Sequence, residues 1–174
     1  MVKYGIISDT HITENDDLNK LNSLIFELKR VFKDVDKIIH AGDICSKDFL
    51  KALNTIAPTI SVRGHDDNIK DLDLFIKFPA GKYNIGVIHE KPNDLENFFK
   101  SNEIHILIIG HSHQPFIKGT KFNTLLINPG SPTNPKAPPQ KRGFDKPIAR
   151  PSVIIMSIDE NDILSTYIIN LKLD

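Results

Sequence analysis

Cysteine occurs once, at Cys45, so no disulfide can close within the chain and a reducing compartment is the expected setting. Neither sign of charge is in excess, since 22 lysines and arginines meet 22 aspartates and glutamates. No global field therefore draws the chain to nucleic acid or anionic lipid, and stable nucleic-acid binding is not expected. No apolar run reaches the roughly 20 residues that a membrane-spanning helix needs, so no membrane partner is expected. The opening M-V-K-Y-G-I-I-S-D-T lacks the long apolar core and cleavage site of a signal peptide, which points to the cytoplasm. G-x-G-x-x-G is missing after the first apolar segment, which removes the usual dinucleotide fingerprint. Internal repeats and linkers are absent as well. The chain reads as one domain, residues 1–174, and its 40% hydrophobic content suffices for a core without staples.

What is present is one device used five times. Ile104–Ile109 is a run of mostly β-branched or leucine residues, the mark of a buried strand, and it breaks at Gly110 into His111-Ser112-His113. Val2–Ser8 ends in Asp9-Thr10-His11, Lys37–His40 in Ala41-Gly42-Asp43, Thr59–Val62 in Arg63-Gly64-His65-Asp66-Asp67, and Tyr83–Ile88 in His89-Glu90. Between them, Leu18, Leu21, Leu24, Ile25, Leu28, Val31 and Phe32 recur at helical spacing, with Asn15 or Asp16 as N-cap. A second helix is predicted from Ser46 to about Ile56 before Pro58, and a third near Asn93–Lys100. The first half thus alternates strand and helix, which implies parallel strands with right-handed crossovers. The second half is richer in hairpins, Leu74–Phe78 with Tyr83–His89 around a Pro79–Lys82 turn and Pro115–Lys118 with Asn123–Ile127, and two further strands, Ser152–Ile158 and Ile163–Asn170, follow. Together they predict an α/β fold of two sheets packed face to face with helices outside.

Five of the seven histidines sit in these junctions, while His40 and His105 fall inside strands. The carboxyl ends of strands in an open α/β sheet face the ligand crevice. Asp9, Asp43, His11, His65, His89, His111 and His113 gathered there would lose hydration and leave ring nitrogens unpaired, a cost that divalent metal relieves. Seven ligands exceed the need of one ion, so two divalent ions are expected. A carboxylate can bridge two ions and an imidazole cannot, which makes Asp9 or Asp43 the bridge. Two dications against two aspartates leave the site positive, favouring an anionic substrate such as a small phosphate ester or a nucleotide. Nitrogen and oxygen ligands without thiolate suit transition ions over magnesium, with manganese first and iron, zinc or nickel after it. Cys45 is taken as a small residue leading into the second helix.

The ordered set S-D-T-H, A-G-D, R-G-H-D-D, I-H-E and G-H-S-H resembles the calcineurin-like metallophosphoesterase family, and the N-P-G-S turn and R-P-S-V-I-I-M strand resemble its small single-domain microbial branch. The resemblance implies a four-layer αββα sandwich of two mixed β-sheets flanked by helices. It implies one metal held by Asp9, His11, Asp43 and His113, and a second by the bridging Asp43 with His65, His89 and His111. The implied activity is hydrolysis of phosphate esters, diesters foremost, with a metal-bridging hydroxide attacking phosphorus in line.

Two departures matter. The family's third block reads Gly-Asn-His-Asp, so His65 stands where an asparagine ligand is usual and Asp66 where a catalytic histidine is usual. Asp66 protonates a leaving oxygen only with a pKa well above the ordinary value of roughly 3.9; otherwise it is a loop carboxylate bonded to backbone. Glu90 replaces a glycine and is expected at the rim or holding a ligand histidine. Residues 132–150 form a proline-rich basic loop, read as a mobile surface segment ahead of a substrate lid or partner arm. The rival to an enzyme is a protein-interaction scaffold with a residual metal site, like the small retromer subunit of the same fold. Ligand completeness discriminates between them, and no ligand position here is apolar. Whether the chain forms a homo-oligomer is left open by the sequence.

Overall fold

The computed structural model describes residues 1–13 and 15–173. Chain order is β1 (Val2–Ile7), α1 (Leu18–Val31), β2 (Lys37–His40), α2 (Lys47–Asn54), β3 (Thr59–Ser61), β4 (Phe75–Ala80), β5 (Tyr83–Ile88), α3 (Leu95–Asn102), β6 (Ile106–Ile108), β7 (Pro115–Gly119), β8 (Leu125–Pro129), β9 (Ser152–Ile158) and β10 (Leu164–Asn170). Two five-stranded mixed sheets result, ordered β10-β9-β1-β2-β3 and β4-β5-β6-β8-β7. In the first, β1, β2 and β3 are parallel. In the second, β5, β6 and β8 are parallel.

Alternation along the strands sends one set of side chains between the sheets and the other beneath the helices. Ile6, Ile39, Val62, Ile85, Ile106, Ile108, Ile127 and Ile154 meet in the central core. Ile7, Ile38 and Ile155 point the other way, against Leu24, Leu28 and Phe32 of α1 and its end, and Phe49 and Leu53 of α2. Leu107, Ile109 and Leu126 meet Phe99 of α3 on the far side. Each buried side chain of this kind contributes about 1.5–3 kcal/mol relative to exposure. The expected αββα sandwich is therefore the observed one.

Three local expectations are corrected. The N-cap of α1 is Asp17, accepting from Asn19 N at 2.8 Å, because the Asp16 carboxylate is engaged by Thr13 Oγ1 at 3.0 Å and by the Thr13 amide. Leu18, assigned to the apolar stripe by spacing, is the first helical residue and is 72% exposed, beyond the reach of the sheet. The β4–β5 connection is only Gly81-Lys82, since Pro79 and Ala80 pair with Asn84 and Tyr83; Pro79 is tolerated because β4 is an edge strand.

One buried charge ties the C-terminal tail to α1. Glu27 is 4% exposed and accepts from Arg30 Nε and Nη2, both at 2.8 Å, and from Lys172 N at 3.0 Å. The Arg30 bonds, against the opposition of burial, bring its carboxyl down to about 2. Much of Arg30 is in water, which reduces its share, so Glu27→Gln should cost about 1.5 kcal/mol. For a chain this size that lowers Tm by about 3–6 °C. Because the folded pKa is depressed, the stability gap should be full above about pH 4.5 and vanish as pH falls toward 2. Thermal melts of both proteins across that range check it, and a gap that persists unchanged at pH 2 would assign the effect to packing.

Candidate metal centre

Each of the five junctions leaves a strand at one common edge of the sandwich: Asp9 and His11 after β1, Asp43 after β2, His65 after β3, His89 after β5, and His111 and His113 after β6. The edge brings all seven expected ligands and Asp66 into four overlapping groups. These are Asp9 with His11 and His113; His65 with His89 and His111; Asp9 with Asp43 and His89; and His11 with Asp43 and Asp66. Within each group the donor atoms lie within 4.8 Å of one another. His40 and His105 join none among the described residues. His40 is fully buried and meets Thr10 Oγ1 at 3.0 Å, and His105 Nδ1 accepts from Asn84 N at 2.9 Å.

The backbone at this edge is unusual. Asp9, His11, Asp43, His111 and His113 all have left-handed φ, between +45° and +67°. Asp and His enter that region more readily than branched residues, yet such conformations persist only where the surroundings hold them. Two glycines make the crowding feasible. A Cβ on Gly64 would collide with the Asp43 carboxylate, and one on Gly110 with the Ser8 hydroxyl and the Asp9 carboxylate. The amide of His111 donates to both Asp9 oxygens, at 3.0 and 3.1 Å, joining the end of β6 to that of β1.

Hydrogen bonds set which ring nitrogen faces the cluster. His89 Nδ1 donates to the Ala41 carbonyl at 2.8 Å and His113 Nδ1 to the Asn134 carbonyl at 2.7 Å. His11 Nδ1 faces Asp66 Oδ2 at 3.3 Å. In each case Nε2 is left as a lone-pair donor aimed inward. His89 Nε2 is buried without a hydrogen-bond partner, 3.1 Å from Asp43 Oδ2. His113 Nε2 lies 3.2 Å from His11 Nε2 and 3.4 Å from Asp9 Oδ1, and His11 Nε2 lies 3.7 Å from Asp43 Oδ2. Lone pairs facing lone pairs repel unless a cation stands between them. Separations of this size are those of neighbouring ligands on an ion with bonds of about 2.1 Å, so the residues present fit divalent metal.

The same crowding is visible in the acid–base balance without metal. Burial pushes the Asp9 carboxyl up, against hydrogen bonding from Ser8. Burial also opposes ionisation of Asp43, but the His89 ring, the Asp66 amide and His11 outweigh it and bring the carboxyl down to about 2. Burial resists a charge on His89, yet its Asp43 and Ala41 contacts raise its pKa. The Cys45 thiol is driven up to about 12 by burial and by Asp67, Asp43 and Asp66, so it stays protonated rather than offering a thiolate.

His65 is exposed, as is His111, and its Nε2 lies 3.2 Å from Glu90 Oε2. Glu90 is thus both at the rim and in contact with a histidine of the cluster. Asp66 is 65% exposed at the side chain and its amide donates to Asp43 Oδ1 at 2.9 Å. Sequence reasoning missed Asp67. Its Oδ2 accepts from Asp43 N at 2.9 Å and Gly64 N at 2.8 Å, and its Oδ1 from Cys45 N at 2.7 Å, so one carboxylate clasps two junction loops. It also grouped Lys136 with a surface loop. In the structure residues 131–136 turn back over the centre: Ser131 Oγ donates to Asp9 O at 2.7 Å, Thr133 Oγ1 to Thr10 O at 2.9 Å, and Lys136 lines a cleft of about 370 Å³ with His11, Asp43 and His113.

Residues 2–159 match the calcineurin-like phosphoesterase superfamily domain. A probable metallophosphoesterase from Methanothermobacter thermautotrophicus is 33% identical over 163 residues, spanning 89% of this chain and 85% of its own. Among solved structures, a novel archaeal phosphodiesterase superposes with a TM-score of 0.67 at 24% identity, over 97% of this chain and 100% of its own. Wild-type Vps29 from Entamoeba histolytica, complexed with zinc, superposes with 0.70 at 19% identity, over 97% and 99% of the two chains. At these identities the two structures attest the fold, and no described helix is long and apolar enough to cross a membrane. The sequence match over most of the chain, and a cluster of histidines and aspartates fit for divalent ions, carry one conclusion: the chain belongs to the calcineurin-like phosphoesterase superfamily and is a metal-dependent phosphoesterase.

Proposed function

We propose that the chain is a phosphodiesterase with two divalent ions, and the observation that carries this is the pair of donor triads flanking Asp43. Asp9, His11 and His113 form one triad, and His65, His89 and His111 the other. Asp9 and Asp43 each fall in one group with His11 and in another with His89, and Asp43, with its Oδ2 3.1 Å from His89 Nε2 and 3.7 Å from His11 Nε2, is the carboxylate that would serve both ions. When bound, the ions supply Lewis acidity to the phosphoryl oxygens and to the attacking water.

The chain's own residues do the rest. Ala41 and Asn134 carbonyls hold the His89 and His113 rings with Nε2 inward, and Asp66 does the same for His11. Lys136 adds a positive charge to the cleft wall, where it meets the anionic ester. Asp66 lines the same cleft; as a carboxylate its part is to hold His11, and it would serve as proton donor to a departing oxygen only in its protonated form. A diester fits better than a monoester, whose additional charge would tie up the ions. Manganese is the favoured metal, with iron, zinc or nickel as substitutes, because imidazole-rich sites suit transition ions. A scaffold has no need of this set, and every donor position is filled.

The test is elemental analysis of protein purified without chelators, followed by hydrolysis of bis-p-nitrophenyl phosphate. Two ions per chain and turnover that EDTA abolishes and manganese restores are expected. One ion or none at saturating metal would sink the binuclear reading.

A further inference from the structure

A second cavity opens beside the triad of His65, His89 and His111. It measures about 360 Å³ and is walled by Arg63, His65, Leu74, Ile88, His89 and Lys91. That volume suits a small organic ligand. Because His65 and His89 form part of its wall, a group seated there is continuous with the metal centre.

Arg63 is the informative residue. It stands two residues past the end of β3, and its amide is fixed by a 2.8 Å bond to the Asp73 carbonyl. Its side chain is half-buried. Arg30 is doubly bonded to Glu27, whereas the Arg63 guanidinium has neither an ion-pair nor a hydrogen-bond partner among the described residues. A guanidinium cannot shed its charge, so holding it partly out of water without an acceptor is costly. Glu90, the carboxylate on this wall, is engaged by His65 Nε2 at 3.2 Å. Lys91 adds a second cation, and Leu74, at 60% exposure, offers an apolar surface with Ile88.

We infer that this cavity receives one ester arm of the substrate and that Arg63 there binds a second anionic group carried by that arm. The substrate class is then a phosphodiester whose arm combines a flat or apolar face, laid on Leu74 and Ile88, with a further phosphate or carboxylate. This rests on the phosphodiesterase reading above and narrows it. A planar fork is the donor that recognises such a group in two-point fashion.

The experiment compares two chromogenic esters with the same leaving group: the p-nitrophenyl ester of thymidine 5′-phosphate, and the same compound bearing a 3′-phosphate. Manganese-loaded protein should favour the 3′-phosphorylated ester by about tenfold or more in kcat/KM, chiefly through KM. Arg63→Gln should bring the preference to near unity, and Arg63→Lys should retain part of it. Calorimetric binding of thymidine 3′,5′-bisphosphate against thymidine 5′-phosphate gives a readout free of turnover. Turnover without any preference, or a preference that survives Arg63→Gln, overturns the subsite while leaving the phosphodiesterase reading intact. An Arg63-dependent preference in binding with neither ester cleaved keeps the subsite and overturns the phosphodiesterase reading.

Discussion

Asp43→Asn should retain the fold and lose the enzyme. Its Oδ2 stands 3.1 Å from His89 Nε2 and 3.7 Å from His11 Nε2, nearer to His11 than Asp9 Oδ1 at 4.0 Å, so it is the better placed of the two carboxylates to face both triads. The amide that replaces it matches its volume and can still accept from Asp66 N through the atom now bonded at 2.9 Å. With its oxygen kept there, Nδ2 would face the two triads in place of the carboxylate's negative oxygen. One ion should be lost, and turnover of bis-p-nitrophenyl phosphate should fall by about a thousandfold or more, equivalent to about 4 kcal/mol of barrier. Ion content by elemental analysis, circular dichroism and initial rates check this together. A variant that keeps two ions and wild-type turnover would move the bridge to Asp9.

The second large effect is expected at a residue that touches no proposed ion. Asp67 receives three backbone amides, from Asp43, Gly64 and Cys45, and two of those residues, Asp43 and Cys45, have left-handed backbones at φ +56° and +63°. Amides bonded to a carboxylate contribute more than neutral pairs, and the three act on adjoining loops. Asp67→Ala leaves them without their acceptor and frees the Asp43 loop to relax. Stability should drop by about 3 kcal/mol, and metal affinity by about ten- to a hundredfold. Saturating manganese should restore most of kcat, because the donors themselves remain. Asp67→Asn should fall between, keeping an oxygen for one side of the clasp. Thermal melts without metal and manganese titrations measure the two effects separately. Wild-type affinity in Asp67→Ala would show that the loops hold their shape unaided.

The repeated strand endings made the layer order and the gathering of Asp9, His11, Asp43, His65, His89, His111 and His113 legible. A buried strand must be apolar, so an Asp or His directly after it has few places to go except the sheet's edge. What the sequence did not disclose is what the backbone decides. Asp67 looks like one more loop acid, because nothing in its neighbours' identity reveals that three amides converge on it. Lys136 lies in a proline-rich basic stretch and is exposed as such a stretch suggests, and only the fold shows that residues 131–136 run along the rim of the centre. The Asp17 cap was missed because Asp16 has the same chemistry one residue earlier and is engaged by Thr13. Arg63 read as part of a motif, and its lack of an acceptor is a property of three dimensions.

The proposed donors divide between the two sheets. Asp9, His11, Asp43 and His65 leave strands of the first, and His89, His111 and His113 leave strands of the second. The sheets are glued by branched aliphatic residues through most of their contact, but at this edge they meet through loops and a few polar bonds, among them His111 N to Asp9 and Ser131 Oγ to Asp9 O. Ions held across the seam would rivet two stretches of chain that are otherwise free to part there. Binding that favours the closed sandwich makes opening rarer in proportion to free metal. Cleavage by cellular proteases follows the open population when opening is fast. Through this joint, scarcity of metal would shorten the protein's lifetime as well as silence its chemistry.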